Sequence, residues 1–320
     1  MYSLKPQQIM QNPSAAVFEP DTCLIPNFGE YSEIIAEKIG HSVQNVKPIK
    51  QFGQSDYAMN KEYYSLLVML EEILSCADIS KHYAMPFPID EGSEVFGQYG
   101  HLIEQEMQRR GYFVTLRPFY LEDLIEREDA IEIYKKILDI DCKELANMID
   151  RPIIAIGEPL CIYNNNIFYE NTKYLRNTHM VVRMPLSEAL LFHLTDIDRK
   201  GKHKSRLSHW REVHKQAVRQ YGDFGVFTDI DELFTNVRGK LDFMVGDFAK
   251  YRFAKLLSLT KNEVKGAVLL NSSEENTAII LKLLCEAYKQ EISIPIIQTD
   301  IDYSHSMSRE DAELFVRYLI

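Results

Sequence analysis

Ile153-Ile154-Ala155-Ile156-Gly157-Glu158 is the stretch that decides the fold. This apolar run is the sharpest strand-to-turn signal in the chain. The run ends in Gly and an acidic residue, as the first strand of a Rossmann-like lobe ends at its ligand-binding turn. Downstream, strand and helix text alternate: helical spacing over 165–175, a strand at 180–185, a basic helical stretch over 198–222, a strand at 267–270, a helix over 274–288, a strand at 294–300 and a closing helix over 309–318. That alternation predicts β-α-β units and a parallel sheet.

Upstream the same plan opens earlier. Thr22-Cys23-Leu24-Ile25-Pro26 reads as a strand, Asn27-Phe28-Gly29-Glu30 as a turn, and 31–39 as a helix stopped by Gly40. Helical spacing recurs over 60–75 and 99–110, and Tyr112-Phe113-Val114-Thr115-Leu116 is strand text. The charged stretch 121–148 predicts one long helix, or two, crossing between lobes. The expectation is an α/β protein of two Rossmann-like lobes, with mainly parallel sheets flanked by helices. Residues 1–20 form an irregular N-terminal arm, 21–150 the first lobe with its crossing helix, and 151–320 the second lobe.

The chain has 320 residues, 46% of them hydrophobic, enough for two cores. Its net charge of −11 argues against nucleic acid as a partner, because phosphates need a basic face. No apolar run approaches the roughly 20 residues of a membrane helix, and the first residues lack the basic-then-apolar build of a signal peptide. Five scattered cysteines, none at CxxC spacing, read as reduced thiols in a cytoplasmic protein.

Four segments carry a resemblance. They are Ile25-Pro26-Asn27-Phe28-Gly29-Glu30-Tyr31; Gly97-Gln98-Tyr99-Gly100 running to Arg110-Gly111-Tyr112; Ile156-Gly157-Glu158-Pro159 with Tyr163-Asn164-Asn165-Asn166; and Ile294-Pro295-Ile296-Ile297-Gln298-Thr299-Asp300 followed by Asp311-Ala312-Glu313-Leu314-Phe315-Val316. In order and spacing the chain resembles the CoA protein activase-related proteins of the 2-hydroxyacyl-CoA dehydratase and benzoyl-CoA reductase superfamily. The resemblance implies an iron–sulfur cluster held by cysteines from three places. At those places this chain reads Tyr57-Ala58-Met59-Asn60-Lys61, Asp90-Glu91-Gly92-Ser93-Glu94 and Asn271-Ser272-Ser273-Glu274, with no cysteine. Thiolates hold such clusters, and the oxygens of Tyr, Ser and Glu are poor substitutes. Tyr57, Lys61, Glu91, Glu94, Ser273 and Glu274 therefore read as degenerate cluster positions, and neither a cofactor nor a metal is expected.

Among candidate sites, Gly157, Glu158, Asn164, Asn165 and Asn166 lie where ligands bind in open parallel sheets; the same text also reads as an Asn-rich turn capping a helix. Lys202, Lys204, Arg206, Arg211 and Lys215 form a basic patch suited to CoA phosphates or an acidic partner, or else the solvent side of a helix whose buried side is Leu207, Trp210, Val213, Ala217 and Tyr221. No Gly-x-Ser-x-Gly elbow or P-loop is present. The expected function is that of a cluster-free interaction or scaffold subunit, partnered by a paralogous subunit or an ATP-dependent activase. The alternatives are an enzyme or acyl-CoA binder using carboxylates in the interlobe cleft, and a subunit sharing a cluster at a partner interface. No catalytic residue is assigned.

Overall fold

The structure, a computed structural model, describes residues 22–37, 43–46, 64–89, 96–146, 148, 150–198, 200–244, 247–262, 264–272, 275–302 and 306–319. The expected arm at 1–20 lies outside them.

Strand β1 (Thr22–Ile25), helix α1 (Ser32–Glu37), β2 (Val43–Asn45), α2 (Tyr64–Cys76), β3 (His82–Ile89), α3 (Phe96–Arg109) and β4 (Phe113–Tyr120) build the first lobe. Helix α4 (Ala130–Lys143) follows. The second lobe holds β5 (Ile153–Gly157), α5 (Pro159–Tyr163), α6 (Asn165–Arg176), β6 (Val181–Arg183), α7 (Leu186–Ile197), α8 (Lys204–Tyr221), α9 (Ile230–Val237), α10 (Phe248–Leu259), β7 (Gly266–Ser272), α11 (Asn276–Ala287), β8 (Ile296–Ile301) and α12 (Arg309–Tyr318). Among the described residues every strand pairing is parallel. The sheets run β2-β1-β3-β4 and β6-β5-β7-β8, so each lobe repeats one order: second strand, first, third, fourth. The chain is thus α/β with two mainly parallel sheets flanked by helices.

The apolar runs explain the layers. All residues of β5 and β7 are buried, as expected of strands covered on both faces. Helix α10 is buried along its whole length and carries its cations inward: Lys255 Nζ lies 2.8 Å from Glu188 of α7, and Lys250 Nζ 2.7 Å from Asp196. Helix α4 packs on α7 and α8 of the second lobe as well as on α1 of the first. Its Tyr134 stacks on Trp210 of α8, with centroids 4.6 Å apart.

Two elements shape the space between the lobes. The 121–148 stretch, expected as one long helix or two, is a short helical turn followed by one helix. A 3-10 turn over Glu122–Glu126 ends at Arg127, whose backbone is extended (ψ 149°) and whose guanidinium pairs with Asp129 at 2.8 Å, and α4 begins only after that break. Strand β3 runs through both Pro86 and Pro88 to Ile89. Proline cannot donate to a ladder. Accordingly β3 pairs with β4 along its full length but with β1 only at Tyr83 and Ala84.

Candidate functional site

The short β1–β3 ladder leaves a gap at the point where the strand order of the first sheet reverses. In open parallel sheets, ligands bind at the carboxyl ends of strands beside such a reversal. Strand register sets the chemistry of the gap. Cys23, Ala84 and Thr115 lie in one row, Pro86 and Arg117 in the next, Pro88 and Phe119 in a third, all on one face of the sheet. Opposite-face residues such as Leu24, Met85 and Leu116 belong to the main core, whereas Cys23, Ile25 and Ala84 form a small cluster apart.

Beside the carboxyl ends of β3 and β4 lies a cavity of about 520 Å³. Pro86 and Pro88 of β3 and the consecutive residues Arg117, Pro118, Phe119 and Tyr120 of β4 form its floor. Ile34 of α1 and Ile133 and Ile137 of α4 form one wall, while Pro159, Tyr163, Leu186, Leu190 and Phe248 of the second lobe close the far end. Phe28 and Tyr31, just after β1, line it between the lobes. The lining is almost wholly apolar, and the volume sits inside the ~300–1,000 Å³ range of small-molecule sites. Arg117 and Tyr120 at its mouth are exposed, and Arg127 is 45% exposed.

The 3-10 turn and its flanks, Leu121, Asp123, Leu124 and Arg127, form a strap along this cavity. Here the predicted basic patch finds part of its role. Arg206 donates to the carbonyls of Ile125 and, at 3.1 Å, Arg127, and Lys202 pairs with Glu126. Arg211 pairs with Asp231 and Lys215 with Glu212, so much of the patch is neutralised within the chain. Lys204 opens α8 and is exposed. The buried side of α8 includes Leu207, Trp210 and Ala217, with Val213 and Tyr221 half-buried.

At the corresponding reversal in the second sheet the space is filled. Glu158, just past β5, accepts from the backbone N–H of Ser272 at 2.7 Å and from its hydroxyl at 2.8 Å. Ser65 of α2 reaches in from the first lobe, its Oγ 2.9 Å from Ser272 Oγ and 3.6 Å from Cys161 Sγ. Burial pushes the Glu158 carboxyl up to about 7 against the pull of Arg252. Burial also raises the Cys161 thiol far above its usual range, which leaves it a poor nucleophile. Gly157 makes its close approach to protein rather than to open space: a Cβ there would sit 2.1 Å from the Leu270 carbonyl oxygen.

The Asn-rich turn serves the lobe junction. Asn164 caps α6, its Oδ1 accepting from the N–H groups of Asn166 and Ile167 at 3.0 and 3.2 Å. Its Nδ2 donates to Glu72 of α2 at 2.9 Å, and Asn166 and Asn27 donate to the same carboxylate at 2.9 and 3.1 Å. Asn165 instead accepts from Arg183 at 2.5 Å. The turn after β1 docks here: Gly29 has a φ of +60°, and a Cβ on it would lie 3.0 Å from the Tyr163 carbonyl. Two of the segments that carried the resemblance therefore pack on each other. Burial outweighs the three amide donors and pushes Glu72 up to about 7. Nearer the cavity, Tyr31 donates to Asp141 of α4 at 2.6 Å, and burial raises that carboxyl to about 6.

Glu72, Asp141, Arg117 and the two prolines of β3 do not stand out in the sequence. The Pro-x-Pro text within a strand is the available signal for the gap. Tyr57, Lys61, Glu91, Glu94, Ser273 and Glu274 lie outside the described residues. Among the described residues no cluster of His, Cys, Asp and Glu is arranged to hold a metal ion. Cys23, Cys76, Cys142, Cys161 and Cys285 are free and stand on five separate elements. Among the described residues no helix is long and apolar enough to cross a membrane.

No family model, no curated protein and no solved structure matches this chain.

Proposed function

We propose that this chain is a two-lobed binding protein that takes a small, largely apolar, acyl-type molecule into the cavity between its lobes without redox chemistry. The observation that carries this reading is the 520 Å³ space at the first sheet's strand reversal, floored by Pro86, Pro88 and Phe119 and closed by Leu186, Leu190 and Phe248. Apolar desolvation of a ligand chain drives such binding at about 25 cal/mol per Å² removed from water, before the costs of association. The resemblance to the dehydratase superfamily supplies the acyl class, and the cysteine-free cluster positions support a cluster-free relative. The nearby carboxylates are engaged within the protein: Asp141 holds Tyr31, and Glu158 holds Ser272. That arrangement favours binding over turnover.

Calorimetric titration with 1-octanol and with octanoyl-CoA tests the reading. Saturable binding is expected, weakened at least tenfold by Ile34→Trp, which puts an indole into the space from a half-buried wall position. Titration heats that do not saturate, or binding indifferent to that variant, contradict it. Metal analysis and a visible spectrum of protein prepared without air check the cluster-free part. A colourless, iron-free sample is expected, and a brown, iron-loaded one contradicts it.

A second reading, association with a paralogous subunit or an ATP-dependent activase, draws on α11. There Ile279 and Leu283, one turn apart, are 49% and 66% exposed. Leu283→Glu should weaken co-purification with such a subunit, and unchanged co-purification counts against that face.

A further inference from the structure

Resting on the reading of the cavity as a ligand site, we infer that its ligand is a free acid, an apolar body with a carboxylate attached directly to it, and that Arg117 is the residue that selects for it. Three observations converge on Arg117. It lines the cavity itself, beside Pro86 in strand register and two residues before Phe119. Its side chain stands at the exposed mouth, whereas the rest of that floor is apolar.

The third observation concerns the other cation there. Arg127 is already engaged by Asp129 through both Nε and Nη2, at 2.8 and 3.3 Å. Among the described residues no side-chain carboxylate lies within ion-pair distance of Arg117, although Asp123 also lines the cavity. A guanidinium presents a planar fork of donors that matches the two oxygens of a carboxylate.

Position then decides which acid. Because Arg117 shares a wall with the apolar lining, the anionic group must follow immediately on the apolar chain. A thioester whose phosphates lie at the end of a long linker would pass Arg117 with its uncharged portion.

The test is titration of the full chain with octanoate, 1-octanol, octyl phosphate and octanoyl-CoA, each against the wild type, Arg117→Leu and Arg117→Lys. Octanoate should bind wild type about fivefold to tenfold more tightly than octanol, as expected for a charge pair at a partly exposed mouth. Arg117→Leu should bring octanoate and octanol to equal affinity, and Arg117→Lys should keep part of the margin. The margin should shrink as salt rises.

If octanol matches octanoate, or Arg117→Leu leaves the margin intact, the free-acid inference fails while the cavity reading stands. It fails in the same way if octyl phosphate or octanoyl-CoA binds more tightly than octanoate. If none of the four binds, both fail. Arg117 is exposed on a strand, so its replacement should not unfold the protein, and circular dichroism with a urea midpoint for each variant reports that directly.

Discussion

Glu72 in the first lobe accepts a 2.9 Å hydrogen bond from Asn164 in the second, and Asn164 is at the same time the cap of α6. One side chain thus ties helix initiation in one lobe to a buried carboxylate of the other. That carboxyl titrates near 7 in the folded protein, against about 4.3 unfolded. The folded state therefore holds its proton to higher pH. Its contribution favours folding below pH 4.3 and is lost as pH rises through the window up to about 7. Glu158 behaves alike, and Asp141 does so from about 3.9 to about 6. Chemical denaturation should find the protein more stable at pH 5 than at pH 8. Glu72→Gln should flatten that decline by an amount on the order of 2–3 kcal/mol. An unchanged slope would show that Glu72 does not titrate in this window.

Gly157 admits no side chain, because the Leu270 carbonyl occupies the space. Gly157→Ala should cost more than about 3 kcal/mol, by forcing apart two fully buried strands. Ser272→Ala, which removes one hydroxyl donor to Glu158 and keeps the backbone bond, should cost only about 1–2 kcal/mol. Urea midpoints rank the two, and equal costs would contradict the argument.

The Lys255–Glu188 pair is fully buried at 2.8 Å and is shared with Tyr251, which donates to Glu188 at 2.9 Å. Lys255→Met leaves an uncompensated charge and should lose about 3–5 kcal/mol. Adding Glu188→Gln removes that charge, so the double variant should be more stable than the sum of the single losses predicts. Strict additivity in a double-mutant cycle would deny the coupling.

Arg206 holds the strap through two backbone carbonyls. Arg206→Ala should accelerate amide hydrogen exchange over 122–126 while leaving exchange in β5 and β7 unchanged. Unaltered exchange in the strap would show that other contacts secure it.

Much of this architecture is legible in the residues. The apolar text of 153–156 and 267–270 announces strands, and Asn164 reads as a cap because a short amide at that spacing meets the next N–H groups. The site is less legible, for a physical reason. A Gly-Glu turn draws attention to the second lobe, yet there the space beside the strand ends is taken up by Ser65 from α2, more than 90 residues distant in sequence. The open space arises in the first lobe from a pairing that does not form, past Ala84, and from the register that lays Pro86 beside Arg117. Register is a relationship between strands that no single segment displays. The basic patch likewise reads as a ligand surface until Lys202 and Arg206 are seen clamping a turn about 80 residues upstream.

The most direct test is methyl NMR on protein labelled at isoleucine δ1 positions and titrated with octanoate. The δ1 methyls of Ile34, Ile133 and Ile137, which line the cavity, should shift in a saturable way. Those of Ile153 and Ile154 inside the second sheet, and of Ile279 on the surface of α11, should stay in place. Shifts confined to Ile279, or no shift at Ile34, Ile133 and Ile137 at saturating octanoate, would contradict ligand binding between the lobes.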